Sequence, residues 1–164
     1  MSDDNLQGAL HNDIKDLIRL ETRCLNAADL ETWSSLFTED GYYWMPLERT
    51  QTDPEQHDSL NYDNRALMAM RRYNLHNPLS PSMQREVRSV RILSEPDIDL
   101  SAAPGGDIIV RADVIAVIHH RKQDTFAGTV TWRLVRTDAG LKIKSKRVDL
   151  LNADAPLDSI MMYI

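Results

Sequence analysis

The sequence predicts an α+β fold, and three observations carry that prediction. Helical periodicity is confined to the first half of the chain, strict apolar alternation fills the second half, and tight-turn signals separate the alternating runs. Helices gathered first and long strands last define sequence-adjacent antiparallel strands, not the interleaved pattern of a parallel sheet. A length of 164 residues suits a single domain over residues 1–164, and no internal repeat divides it. With 42% hydrophobic residues, 6 Gly and 7 Pro, the composition is that of a globular chain and excludes disordered or collagen-like readings.

The elements follow in order. Leu6, Leu10, Ile14, Leu17, Ile18, Cys24 and Leu25 recur at three- and four-residue spacings, with Asp13, Lys15, Asp16, Arg19 and Arg23 between them, which predicts an amphipathic first helix. Cys24 lies on its apolar stripe and reads as a small buried hydrophobe. Asp29 is placed to cap a short second helix carrying Leu30, Trp33, Leu36 and Phe37. Asp40-Gly41 reads as the turn that ends it, and residues 42–45 as an aromatic strand stopped by Pro46. Residues 46–61 read as a long polar loop, of a length that is usually functional or partner-bound. A third helix holds Leu67, Met68, Met70 and Arg71, with Asp63 or Asn64 as its cap, and residues 74–84 are irregular.

Strands take over from about Arg85. Residues 87–92 form the first, and 97–106 read as a turn-rich connection. Ile108, Val110, Ala112, Val114, Ala116 and Ile118 then alternate, followed by Phe126, Gly128, Val130, Trp132 and Leu134. Asp138-Ala139-Gly140 marks a hairpin, and residues 141–151 return. Two features predict that the fold is not completed alone. Ile109, Ile115 and Val117 make the opposite face of the long strand apolar as well, and residues 160–164 form an apolar tail that docks either in the core or on a partner. A subunit contact anchored by Tyr163 is the expectation for that tail.

Charge and cysteine content exclude several functions. Nineteen Lys and Arg against 25 Asp and Glu leave a net charge of −6, which argues against nucleic acid and anionic membranes as partners. No apolar run approaches the ~20 residues of a membrane span, and the opening MSDDNLQGAL lacks the regions of a signal peptide, so a cytoplasmic location is expected. One cysteine, Cys24, cannot form an intramolecular disulfide or hold an iron–sulfur cluster or a Cys-based zinc site. The five histidines do not compensate. His119 and His120 are adjacent on a strand and point to opposite faces, His57 and His76 lie outside any ligand pattern, and His11 has no His four residues away.

Acid–base chemistry has one candidate. Asp113 sits within an apolar strand and would serve as a base if it faced a pocket, whereas with Arg111 it reads as part of a cross-strand charge pair. Asp149 and Arg147 form a similar pair, and Lys142, Lys144 and Lys146 read as one solvated face of the last strand.

At DGYYWMP (40–46) and YDNRALM (62–68) the sequence resembles the small, or β, subunit of Rieske-type aromatic-ring-hydroxylating dioxygenases. The similarity continues in Glu21-x-Arg23-x-Leu25, Trp33 before Leu36-Phe37, Asp53-Pro54 leading to Ser59-Leu60, Phe126-Ala127-Gly128 and LKIKSKRVDLLN (141–152). Ser89 departs from it, standing where many relatives place an Asn. The resemblance implies a cone-shaped fold like that of nuclear transport factor 2, with N-terminal helices packed on a strongly curved antiparallel sheet. It implies a structural chain without catalytic residues, in a hetero-oligomer with an α subunit, commonly α3β3. There the α subunit carries the Rieske [2Fe–2S] cluster and a mononuclear Fe(II), and this chain holds no cofactor. The implied assembly adds O2 to an aromatic ring as a cis-dihydrodiol, with electrons passing from NAD(P)H through reductase and ferredoxin components. Tyr43, Trp44, Tyr62, Asp63, Arg65, Tyr163 and Ile164 are the candidate subunit-interface residues on this reading. The alternative is a free-standing isomerase, dehydratase or cyclase on the same cone, using Asp113.

Overall fold

Helix α1 (Asp3–Asn26) buries Ile14, Leu17, Ile18, Cys24 and Leu25 along one stripe, the face set by the predicted periodicity. Asp29 caps α2 (Leu30–Ser35) through a carboxylate oxygen that accepts the Thr32 amide at 3.0 Å. The chain then enters strand β1 (Phe37–Pro46), β2 (Ser59–Asn64) and α3 (Arg65–His76), whose cap is Asn64, accepting the Leu67 amide at 3.1 Å. Strands β3 (Arg88–Leu93), β4 (Asp97–Asp99), β5 (Ile108–His119), β6 (Gln123–Thr137) and β7 (Gly140–Leu150) complete it. The computed structural model describes residues 3–77, 79, 86–101, 106–157 and 159–164, with side chains from Gln7 onward. Part of the irregular stretch expected at 74–84, and residues 102–105 of the connection before β5, lie outside the described residues.

The strands form one curved sheet in the order β2-β1-β7-β6-β5-β3, with β4 also paired to β5. Every pairing is antiparallel except that of β1 with β7. That parallel pair joins strands far apart in sequence, which removes the need for a local crossover. Helix α1 lies across the inner face against β3 and β7, and α2 wedges between α1, α3 and β1. Alternation in β5 and β6 sends Val110, Ala112, Val114, Ala116, Val130, Trp132 and Leu134 inward, as their period-two pattern requires.

Three expectations change at this level. Asp40-Gly41 does not separate helix from strand, because β1 begins at Phe37 and runs through both residues with an irregular register between Phe37 and Tyr42. The connection at 97–106 contains the short strand β4, which completes the hydrogen bonding of β5 where β3 ends. The loop expected at 46–61 gives way at Ser59 to strand β2, which pairs antiparallel with β1. Among the described residues the outer face of β5 stays open at its middle, where Ile115 is 50% exposed.

The hairpin between β6 and β7 turns at Asp138-Ala139, with Gly140 at φ 101°, a left-handed conformation that glycine adopts without steric cost. Gly128 is needed for another reason. A Cβ there would stand 2.2 Å from the carbonyl oxygen of Asp149 on the adjacent strand. Gly128→Ala therefore forces β6 and β7 apart and is expected to cost roughly 1–3 kcal/mol, read as a lower urea midpoint. An unchanged midpoint would show that the strands separate freely.

Candidate functional site

The chemistry-bearing residues collect inside the sheet, where the sequence alone placed only apolar side chains. On α1, Glu21 occupies the buried stripe one turn after Leu17 and is 1% exposed. Its Oε1 accepts from the Trp33 indole Nε1 at 2.8 Å and from the Lys146 ammonium at 2.5 Å. Lys146 is 2% exposed, and its Nζ stands 5.6 Å from the centroid of the Trp132 ring. Burial lowers the Lys146 pKa from its ordinary value, while the neighbouring Glu21 carboxylate acts in the opposite sense.

The position of Lys146 corrects the expected row of three solvated lysines. Lys144 is an extra residue in β7, because Leu134 pairs with Ile143 and Arg133 with Ser145. This bulge reverses the alternation, so Ile143 points inward, Lys144 outward to Asp40, and Lys146 inward again. Had the alternation been unbroken, Lys142, Lys144 and Lys146 would have shared the outer face.

A second cluster surrounds residues 160–164. The Tyr163 ring stacks on Trp33 with centroids 4.2 Å apart and meets Tyr43 edge-on at 4.9 Å. Its hydroxyl donates to Asp63 Oδ2 at 2.5 Å, and Arg71 holds both oxygens of the same carboxylate. The Tyr163 carbonyl accepts from Arg91, which also reaches Asn26 at 3.1 Å and Ser89 at 2.9 Å. The Ile164 amide donates to the Tyr43 hydroxyl at 3.3 Å. Burial pulls Arg91 down to about 10 and raises both the Tyr43 and Tyr163 phenols above their ordinary range.

These contacts place four of the seven expected interface residues within the chain's own packing. Tyr43, Asp63, Tyr163 and Ile164 are each at most 4% exposed, covered by α2, α3 and one another rather than left open for a partner. Trp44 is buried on the other face of β1, beneath the Arg147 guanidinium at 4.6 Å, with its indole donating to Ser59 Oγ at 2.9 Å. Arg147 also holds the carbonyls of Arg49 and Gln51 and the Asp149 carboxylate, so it fastens the 47–58 loop to the sheet. Tyr62 and Arg65 are half-buried. Tyr62 meets Tyr42 edge-on at 5.5 Å, and Arg65 donates to the carbonyls of Ser34 and Phe37.

Asp113 lies on the outer face of β5, exposed, accepting from the Thr129 hydroxyl at 3.2 Å. It does not face the interior. Cys24 is buried as expected, and burial raises its thiol pKa. Among the described residues, no three His, Cys, Asp or Glu side chains gather in a group that could hold a metal ion. Nor, among those residues, is any helix long and apolar enough to cross a membrane.

A helix-filled, strongly curved sheet of this topology defines the cone-shaped class of α+β proteins. The family model for the ring hydroxylating beta subunit matches residues 20–155. The chain belongs to that family. The small oxygenase component of a p-cumate 2,3-dioxygenase system from Pseudomonas putida is 27% identical to it over 139 residues, spanning 83% of this chain and 76% of the relative. The β subunit of the benzoate 1,2-dioxygenase from Burkholderia mallei superimposes with a TM-score of 0.71 at 21% identity, covering 93% of this chain and 96% of that one. A scytalone-dehydratase-type protein from Novosphingobium aromaticivorans shares the architecture too, with a TM-score of 0.63 at 18% identity, 92% of this chain and 88% of the other. Fold alone therefore does not separate a dioxygenase small subunit from a free-standing enzyme, whereas the family match does.

Two predictions test the interior. Lys146→Met strands the Glu21 carboxylate and is expected to cost about 3–5 kcal/mol in chemical denaturation. Glu21→Gln added to it keeps an acceptor for Trp33 and removes the stranded charge, so the double variant recovers most of that loss; additive losses would contradict the pairing. Tyr163→Phe removes the hydrogen bond to Asp63 and is expected to cost about 1.5–3 kcal/mol near neutral pH. Because the folded state raises the Tyr163 pKa, its contribution is fully present below the unfolded value of about 10 and is lost as pH rises beyond it. The gap between Tyr163→Phe and the unsubstituted chain should accordingly narrow above pH 10, and a widening gap would contradict this assignment.

Proposed function

We propose that this dioxygenase small subunit is a structural, non-catalytic component that supports assembly of an iron-bearing α subunit, in an α3β3 complex located in the cytoplasm. The complex adds both atoms of O2 to an aromatic ring as a cis-dihydrodiol. Electrons reach it from NAD(P)H through reductase and ferredoxin components.

The observation that supports the structural role is how the interior is occupied. Trp33, Tyr43, Trp132, Lys146 and Ile164 fill positions that a substrate would need, and each is 2% exposed or less. Glu21 is matched there to Lys146, and Asp63 to Arg71 and Tyr163, while the buried Arg91 donates to neutral oxygens of Asn26, Ser89 and Tyr163 and leaves its Nε without a hydrogen-bond partner. The residues do not fit the family's metal groups either. Among the described residues, a lone buried Cys24 and scattered histidines offer no ligand set for a Rieske cluster or a mononuclear iron. Both groups are assigned to the α subunit, and no step of oxygenation passes through this chain. The alternative, a free-standing cone enzyme using Asp113, loses its catalytic residue because that carboxylate stands outside the cone.

Partner contact is assigned to the outer sheet face. Val90 is 51% exposed, Ile92 68% and Ile115 50%, and Ile92 and Ile115 are directly paired across β3 and β5. An apolar patch of that kind marks an interaction surface. Ile92→Thr with Ile115→Thr retains strand propensity and is expected to leave the melting temperature of the isolated chain nearly unchanged. Association with the α subunit should weaken by about tenfold or more, and unchanged association would move the contact elsewhere.

The role itself is tested by purifying the full chain alone and then with an α subunit. Alone it should be colourless, free of stoichiometric iron and inactive, with brown colour and oxygenase activity arriving together on addition of the partner. About one tightly held iron per chain, or ring hydroxylation without the partner, would contradict the proposal.

A further inference from the structure

We propose that the cone interior is a binding site for a 4-hydroxyphenyl group, and that residues 160–164 occupy it as a ligand built into the chain. This inference concerns the interior of this chain alone and does not depend on the α subunit.

Tyr163 is held as a bound phenol would be. One face of its ring stacks on Trp33 at 4.2 Å and 25°, and Tyr43 closes the chamber edge-on at 4.9 Å. At the far end the hydroxyl meets a carboxylate that is already prepared for it. Asp63 is 2% exposed and fixed through both oxygens by Arg71, and Oδ2, which already accepts from Arg71 Nε, accepts the phenol as a second donor at 2.5 Å. The near end is fixed separately, since Arg91 takes the Tyr163 carbonyl and the Tyr43 hydroxyl takes the Ile164 amide. An aromatic clamp, an anchored acceptor at ring length and two main-chain anchors constitute recognition of a particular group, beyond the filling of a hole.

The described residues between β7 and the segment, 151–157, are turn and coil. A cleft of about 210 Å³ is lined by Asn61, Arg71, Leu75 and residues 160–163. Ligand therefore has a route to the chamber whenever the Tyr163 side chain is missing. The apolar clamp accepts any small aromatic ring, whereas the Asp63 carboxylate distinguishes a phenol from a plain arene, because only the phenol restores the second hydrogen bond that Oδ2 accepts beside Arg71.

The test uses the full chain carrying Tyr163→Ala, titrated with p-cresol or with toluene. p-Cresol should raise the melting temperature saturably, show nuclear Overhauser contacts to the Trp33 indole, and leave the unsubstituted chain unaffected. Toluene should give less than half that rise, and Asp63→Asn in the same background should abolish the difference between the two. Equal effects of both compounds would reduce the site to an apolar void, and no effect of either would show that the chamber collapses; each overturns the proposal. If Tyr163→Ala does not accumulate, Tyr163→Val is titrated in the same way. Recovery of soluble protein only when p-cresol is present during refolding supports the proposal, and failure of both variants with and without it overturns it.

Discussion

Glu21 and Lys146 meet at 2.5 Å where water does not reach, and the elements around them are arranged to make that contact tolerable. Moving an ammonium and a carboxylate out of water costs several kcal/mol per ion unless good geometry and additional hydrogen bonds offset it. Trp33 supplies a further donor to the carboxylate, and the face of Trp132 lies near the ammonium. This requires α1 to sit at one height over β7, α2 to present Trp33 toward α1, and β7 to carry its bulge at Lys144. A register slip in any of the three strands one charge. The pair is thus a specificity device for the fold more than a source of net stability.

The same constraint shapes what the chamber can do. With α1 and α2 fixed by the ion pair, the Trp33 ring becomes a rigid wall, and residues 160–164 complete the enclosure against it. Arg71 and Arg91 then tie the far and near ends of Tyr163 to α3 and β3, so three helices and the sheet share one continuous interior. A free-standing enzyme on this fold would keep that interior open to substrate. Here it is filled, and exposed apolar side chains lie outside it, on the outer sheet face (Val90, Ile92, Ile115) and on α3 (Leu67, Met70, Tyr73). That division fits a chain whose contribution is a shaped surface for partners.

How far the sequence revealed this depends on whether the signal was local. The α1 stripe, the Asp29 cap, the alternation of β5 and β6 and the Gly140 hairpin were legible because period and turn chemistry act over a few residues. Family membership was legible because short motifs recur in order along most of the chain. Lys146 was not, since a single extra residue in β7 reverses its direction and bulges leave no local mark. Glu21 did leave one, a carboxylate on the buried stripe at helical spacing from Ile14, Leu17 and Leu25, but its partner lies 125 positions away. Tyr43, Asp63, Tyr163 and Ile164 were assigned to an interface because apolar and aromatic residues mark cores and contacts alike; only the approach of the tail to α2 and α3 decides between them. Asp113 was ambiguous for a similar reason, because alternation says that it opposes Val114 and not which side is the interior.

The account rests on the interior being closed in the chain by itself, and the indole N–H of Trp33 reports on that most directly. It donates to a buried carboxylate and is covered by Tyr163. Followed by hydrogen–deuterium exchange in the isolated full chain, this proton should exchange only through global unfolding, with a free energy equal to that from denaturant titration. Exchange at the rate of an exposed indole, with the chain still folded, would mean that the chamber opens to water and that its occupants do not hold it shut.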